Sequence, residues 1–163
     1  MENIEKIKKD LKQVLSERRY EHSIGVMNMA EEFAKIYKVD IETAKIAGLL
    51  HDNAKEMTKE EMLKYVEENN IEITEFEKLN VPILHGKIGA DIAKKKYGVS
   101  EQIAKAIEYH TTTSPKMDTL AKIIYVSDKV ELTRKSEKFD IESERKLATI
   151  DLDKAVLLII NII

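Results

Sequence analysis

The 163-residue chain has the length of one domain, and its 43% of hydrophobic residues excludes a disordered protein. Five glycines and two prolines supply few turns, which disfavours a β-sandwich or barrel and favours a mostly helical fold. The lack of cysteine excludes disulfides, thiolate metal sites and cysteine nucleophiles, and a formal net charge of −3 does not favour a nucleic-acid polymer as partner.

Neither end of the chain reads as a membrane segment. The first ten residues have no apolar signal core, and the apolar run Val156–Ile160 is far too short to span a bilayer. We therefore expect a cytoplasmic protein with one domain over residues 1–163 and no membrane partner. The apolar C-terminal end leaves a homodimer as an open alternative.

Apolar residues recur at helical spacing along almost the whole chain and predict ten helices. The first two are marked by stripes over Ile4–Val14 and Val26–Ile36, and the sixth is expected to start near Pro82 and to end before Gly98. The third is expected to run a little beyond Leu50, the seventh to about His110 and the eighth to about Leu132, with a loop over residues 111–116. The other starts are predicted from capping side chains, which are Asp40, Thr58, Thr74, Ser100, Asp118, Asp140 and Asp151.

The chain has four histidines, each in a different predicted helix and each on or beside an apolar stripe: His22, His51, His85 and His110. A single histidine in such a place is more often a structural residue than a ligand. Two carboxylates are also unusual, because Asp52 ends one apolar helix and Asp128 interrupts another. Burying a carboxylate costs several kcal/mol unless a cation or hydrogen-bond donors meet it.

Imidazoles and carboxylates together form a ligand set for iron, manganese, cobalt, nickel or zinc. Six such ligands are too many for one metal that keeps an open position. They fit two metal ions that share a carboxylate, an arrangement suited to in-line displacement at phosphorus. The residues alone therefore predict a dinuclear metal site without deciding which metal it holds.

Five short sequences around these residues carry a resemblance to a known family. In this order and spacing, the chain resembles the HD-domain metal-dependent phosphohydrolases, and among them the bacterial YqeK family of symmetrical diadenosine tetraphosphate hydrolases. The similarity spans residues 17–160. The sequences are RYEHSIGV at 19–26, AGLLHDNAKE at 47–56, LHGKIGA at 84–90, EYHTTT at 108–113 and VSDKVELTR at 126–134.

The resemblance implies an all-α HD-domain bundle and a ligand set for two metals, typically iron in that family. One metal is expected on His22, His51, Asp52 and Asp128, and the second on His85 and His110 with Asp52 bridging. A hydroxide activated by both metals would attack phosphorus and release two molecules of ADP from diadenosine tetraphosphate.

Other polar residues are candidates for contacts with the phosphates. Lys55 lies three residues after Asp52, where its charge would act as part of the catalytic set with that carboxylate. Arg134 is one of only four arginines and offers a planar donor pair that suits phosphate. Thr111 and Thr112 follow His110 and could donate hydroxyl groups. Each also has a purely structural interpretation. Lys55 would then be an exposed lysine, Arg134 a cation at a helix C-terminus, and Thr111 and Thr112 residues that end a helix.

Two alternatives remain at this stage. The first is another HD-domain nucleotidase or phosphodiesterase, which a panel of nucleotide substrates would distinguish. The second belongs to a different class, a di-iron helical protein that binds or activates oxygen, since histidines and bridging carboxylates in helical bundles support that chemistry too. Redox-dependent colour changes would indicate the second.

Overall fold

The computed structural model describes residues 3–162, and within that range it contains helices and no strand, which confirms the all-α prediction. No helix in this range is both long and apolar enough to cross a membrane. The helices are α1 (Ile4–Val14), α2 (Glu17–Tyr37), α3 (Ile41–Leu50), α4 (Lys59–Glu68), α5 (Glu75–Leu79), a 3₁₀ helix (Val81–Leu84), α6 (His85–Tyr97), α7 (Glu101–Thr112), α8 (Thr119–Val130), α9 (Ile141–Ile150) and α10 (Leu152–Ile162).

Seven of the helices within residues 3–162 begin at the residue directly after a predicted capping residue. Each capping side chain accepts a hydrogen bond from the backbone N–H three residues later, which satisfies a donor that the helix itself leaves free. In α4 and α5 the bond is reciprocated by Glu61 and Glu77, which completes two capping boxes. The confirmed caps are Asp40, Thr58, Thr74, Ser100, Asp118, Asp140 and Asp151.

Two hydrophobic clusters hold the helices together. The larger lies among α2, α3, α7 and α8, and α1, α6, α9 and α10 also contribute to it. The smaller lies under α4 and joins it to the 3₁₀ helix and α6 through Met62, Leu84 and Ile88. The larger cluster positions the site, because α2, α7, α8 and the turn directly after α3 all carry a histidine or aspartate of interest where these helices meet.

Four predicted boundaries were wrong by a few residues. Helix α8 ends at Val130 rather than near Leu132, whose side chain is 74% exposed. Helix α7 runs on to Thr112, so the expected loop begins at Thr113, a residue with a positive φ of 58°. Helix α3 stops at Leu50, and residues 51–57 form consecutive turns. The segment that contains Pro82 is a 3₁₀ helix, and the α-helical part begins only at His85.

Candidate metal centre

Six buried side chains from five parts of the chain meet at one end of the large cluster. We name these six residues the histidine–aspartate cluster. The fold positions them at helix ends or on inward faces, so that each ring or carboxylate leaves its own helix and points into the same space. They are His22 on α2, His51 and Asp52 directly after α3, His85 at the start of α6, His110 on α7 and Asp128 on α8.

The first group within the cluster is His22, His51, Asp52 and Asp128. Each of these residues offers one ligand atom, and those atoms all lie within 4.8 Å of one another. Nε2 of His22 is 2.9 Å from Oδ1 of Asp128 and 3.7 Å from Oδ2 of Asp52. These four residues are the ones that the sequence analysis assigned to a first metal.

The second group is Asp52, His85 and His110, whose ligand atoms also converge within 4.8 Å. Nε2 of His85 and Nε2 of His110 are 3.1 Å apart, and each faces Oδ1 of Asp52, at 3.3 Å and 3.1 Å. The other carboxylate oxygen of Asp52, Oδ2, faces His51 at 3.3 Å. Asp52 therefore presents one oxygen to each group, which is the geometry of a bridging ligand.

Backbone carbonyls orient three of the four imidazoles. Nδ1 of His51, His85 and His110 each lies within 2.7 Å of the carbonyl oxygen three residues earlier, at Gly48, Pro82 and Ile107. In the neutral form of each ring, donation of the Nδ1 proton to that carbonyl leaves the lone pair on Nε2, the atom that faces the interior of the cluster.

His22 is oriented differently, by a buried glutamate that the sequence analysis did not single out. Its Nδ1 is 3.0 Å from Oε2 of Glu131, a side chain with no exposed surface. Glu131 also accepts hydrogen bonds from the backbone N–H and the hydroxyl of Thr133. A Cβ at Gly25 would lie 2.6 Å from Glu131 Oε2, so glycine at that position makes room for the carboxylate.

The charges in the cluster are strongly coupled. Burial acts to lower the pKa of His51, but Asp52 and Asp128 outweigh it and raise that pKa to about 10. Burial acts to raise the pKa values of both aspartates, yet the neighbouring positive charges hold them well below their usual range: mainly His51 for Asp52, and mainly Lys129 for Asp128. Burial lowers the pKa of His110, which favours its neutral form.

The cluster meets the chemical requirements of a divalent metal site. His51 Nε2 is buried and makes no hydrogen bond, although carboxylate oxygens of Asp52 and Asp128 lie only 3.3 Å and 3.4 Å away. A buried polar atom without a partner normally costs stability, and a cation bound between these atoms would satisfy it. A metal ion that binds here would displace the Nε2 proton of His51, and neutral imidazoles with ionised carboxylates are a donor set that divalent transition metals accept. The residues present therefore fit a divalent metal ion.

A cleft of about 250 Å³ opens onto the cluster, and we call it the central cleft. Lys55 and Thr111 line it as expected, whereas Thr112 is exposed and is not among the lining residues. Arg134 also lines it, and its side chain donates to the backbone oxygen and to Oδ1 of Asp128, at 2.8 Å and 3.0 Å. The expected donors at the cleft are therefore Lys55, Thr111 and Arg134.

Two further cations in the central cleft were missed by the sequence analysis. Nη1 of Arg19 is 2.9 Å from Oδ2 of Asp52, and Nζ of Lys129 is 2.8 Å from Oδ2 of Asp128. In the sequence both look like ordinary charges on a solvated helix face. The rarity of arginine, which drew attention to Arg134, was the signal that could have found Arg19 as well.

Comparisons with known proteins agree with the fold and with the resemblance. The HD domain family model matches residues 19–133. The chain is 38% identical over 148 residues to a Bacillus subtilis protein named "Bis(5'-nucleosyl)-tetraphosphatase, symmetrical", with 90% of this chain and 78% of that one covered. A Halalkalibacterium halodurans protein of the same name is 35% identical over 88% of this chain and 75% of its own length.

A crystal structure from Clostridium acetobutylicum extends the likeness to the fold. That protein is titled a predicted HD superfamily hydrolase involved in NAD metabolism. It superposes with a TM-score of 0.92 and 40% sequence identity, covering 97% of this chain and 83% of its own. The match of the family model, the relatives and the shared helical architecture together show that this chain belongs to the HD domain family of hydrolases.

Proposed function

We propose that this chain is a metal-dependent phosphohydrolase that cleaves diadenosine tetraphosphate symmetrically to two molecules of ADP. The observation that carries the proposal is the histidine–aspartate cluster, buried beneath a cleft lined by cationic side chains. The names of two relatives supply the substrate class, a dinucleoside tetraphosphate split into equal halves. The chain's own contribution is a site that can hold metals and anions together.

The proposal includes two metal ions, with iron as the first metal to test. His22, His51, Asp52 and Asp128 would hold one ion, and His85 and His110 the other, with Asp52 shared. The bridging role of Asp52 is supported by its two oxygens, which face different groups of histidines. When bound, a pair of divalent ions supplies Lewis acidity, which makes water a nucleophile at neutral pH and neutralises charge on phosphoryl oxygens.

The protein's own side chains would hold the polyphosphate and balance its charge. Lys55, Lys129 and Arg134 all line the central cleft, and a phosphoryl group over the cluster would lie within their reach. Cations fixed before the reaction stabilise the negative charge that spreads over the phosphoryl oxygens as the bond breaks. The hydroxyl of Thr111, at the edge of the same cleft, could donate a further hydrogen bond.

The test is a product analysis with the iron-loaded protein and diadenosine tetraphosphate, resolved by anion-exchange chromatography. ADP as the single product, lost in His51→Ala and kept in the exposed-site control Phe76→Ala, would support the proposal. AMP and ATP as products would show that the protein is a hydrolase but would reject symmetrical cleavage. No turnover, with tightly bound iron and a redox-dependent colour change, would favour the oxygen-binding alternative instead.

A further inference from the structure

A second, smaller pocket lies beside the central cleft and is strongly basic. It has a volume of about 190 Å³, and we call it the basic pocket. Three of the chain's four arginines line it, although lysines outnumber arginines heavily in this sequence. No carboxylate is among the lining residues, which are Arg18, Arg19, His22, Thr133, Arg134 and Lys135.

Two of these cations have no structural task in the fold. Arg19 and Arg134 pair with carboxylates of the histidine–aspartate cluster, at 2.9 Å and 3.0 Å. Arg18 and Lys135, by contrast, are exposed and make no side-chain hydrogen bond or ion pair within residues 3–162. Their charges are therefore available to an anion, and the cations that line one pocket together produce a positive potential that attracts one.

The basic pocket adjoins the central cleft. Arg19 and Arg134 line both, and His22 contributes to the basic pocket from the side of the cluster. Lys55 and Lys129 line the central cleft alone, whereas Arg18 and Lys135 line the basic pocket alone. A chain of phosphates that lies over the cluster would therefore meet cations in the cleft and, beyond Arg19 and Arg134, in the pocket.

We propose that the basic pocket binds phosphates of the substrate beyond the one that reacts, and so selects long polyphosphate chains over single phosphates. This inference rests on the proposed function, since it assigns one half of a symmetrical polyphosphate to the pocket. Guanidinium groups suit the task because each can form two parallel hydrogen bonds to a phosphate. Cleavage at the centre of a tetraphosphate leaves two phosphates on each side of the broken bond, so phosphates other than the reacting one are present for such a site to bind.

The test compares the double variant Arg18→Gln, Lys135→Gln with the control Lys9→Gln, Lys154→Gln. Both remove two positive charges, but Lys9 and Lys154 lie on α1 and α10, outside the basic pocket and the central cleft. The metal-loaded proteins are titrated by calorimetry, with excess Mg²⁺, against inorganic phosphate, inorganic tripolyphosphate and a methylene-bridged, non-hydrolysable analogue of diadenosine tetraphosphate. The KM for diadenosine tetraphosphate is measured alongside.

We expect the pocket variant to bind both long ligands at least about tenfold more weakly, with a matching rise in KM. Binding of inorganic phosphate should change less than about twofold, as should every value for the control. Unchanged affinity for the long ligands would overturn the inference, even if symmetrical hydrolysis is observed. The wild type could also bind tripolyphosphate through Arg18 and Lys135 without cleaving diadenosine tetraphosphate. That result would support phosphate binding at the basic pocket and reject diadenosine tetraphosphate as the substrate.

Discussion

Replacing Glu131 by glutamine should weaken metal binding without touching a proposed ligand. The carboxylate accepts three hydrogen bonds, from Nδ1 of His22 and from the backbone N–H and hydroxyl of Thr133. Burial acts to raise the pKa of Glu131, but the bonds from His22 and Thr133 outweigh it and hold that pKa below its usual value. The side chain is therefore an ionised acceptor on both of its oxygens.

Glutamine has only one acceptor oxygen, so one of these contacts must fail. If its NH₂ group faces His22, the imidazole proton moves to Nε2 and the ring can no longer bind a metal. If its NH₂ group faces Thr133, it points at the backbone N–H of Thr133, and two donors oppose each other in a site with no exposed surface. Losing such a supporting partner weakens metal binding by about 10- to 100-fold, or about 1.4–2.7 kcal/mol.

The assay is a competitive metal titration against a fluorescent chelator, with circular dichroism to confirm that the variant is folded. The matched control is Glu144→Gln, which changes another buried glutamate on α9, away from the cluster. The control should retain wild-type metal affinity. A folded Glu131→Gln protein whose metal affinity is within twofold of wild type would refute the reasoning about His22.

Three further predictions concern metal removal, pH and the core. Chelation should lower the thermal midpoint by roughly 5–10 °C, because metal at a hundred times its Kd stabilises by about 2.7 kcal/mol; scanning calorimetry checks this, and an unchanged midpoint would contradict it. Burial raises the pKa of Glu144 in the folded protein above its pKa in the unfolded chain. The folded state therefore loses stability as the pH rises above the pKa of the unfolded chain, because ionisation of Glu144 is easier there. Denaturant unfolding should therefore show that Glu144→Gln raises the free energy of unfolding relative to wild type by more at pH 7 than at pH 4. An equal difference at the two pH values would refute this prediction. Phe33→Ala should lose about 3–5 kcal/mol of unfolding free energy in urea, since Phe33 is 1% exposed, whereas Phe76→Ala, at a position 64% exposed, should stay within about 0.5 kcal/mol.

Local chemistry in the sequence predicted the helices well. Capping residues such as Thr58 and Asp118 bond to a backbone N–H only three residues later. Such local contacts can be predicted from the sequence alone because they do not depend on how the helices pack. The end of α8 was predicted too late because Leu132, an apolar residue at helical spacing, resembles a core position. The helix ends two residues earlier, and Glu131 rather than Leu132 turns inward.

The site was predictable where a rare histidine, or a carboxylate in an apolar stretch, stood out from its neighbours in the sequence. Four histidines in a long chain draw attention, and the structure brings all four together. Arginine is rare in this chain, but Arg19 and Glu131 both have charged neighbours, and nothing nearby in the sequence shows that one meets Asp52 and the other His22. Those contacts link residues 33 and 109 positions apart, so they depend on how the helices pack.

The wide spacing of the cluster along the chain has a consequence for biosynthesis. Apart from the adjacent pair His51 and Asp52, its members are separated by many residues, with His22 and Asp128 at the two extremes. A nascent chain emerging from the ribosome therefore lacks the complete first group until α8 has been synthesised, whereas the second group is complete once α7 has been made. Compact zinc modules, whose ligands lie a few residues apart, can capture their ion much earlier. A metal ion held by the first group would therefore be acquired late in synthesis, once α2, α3 and α8 have come together.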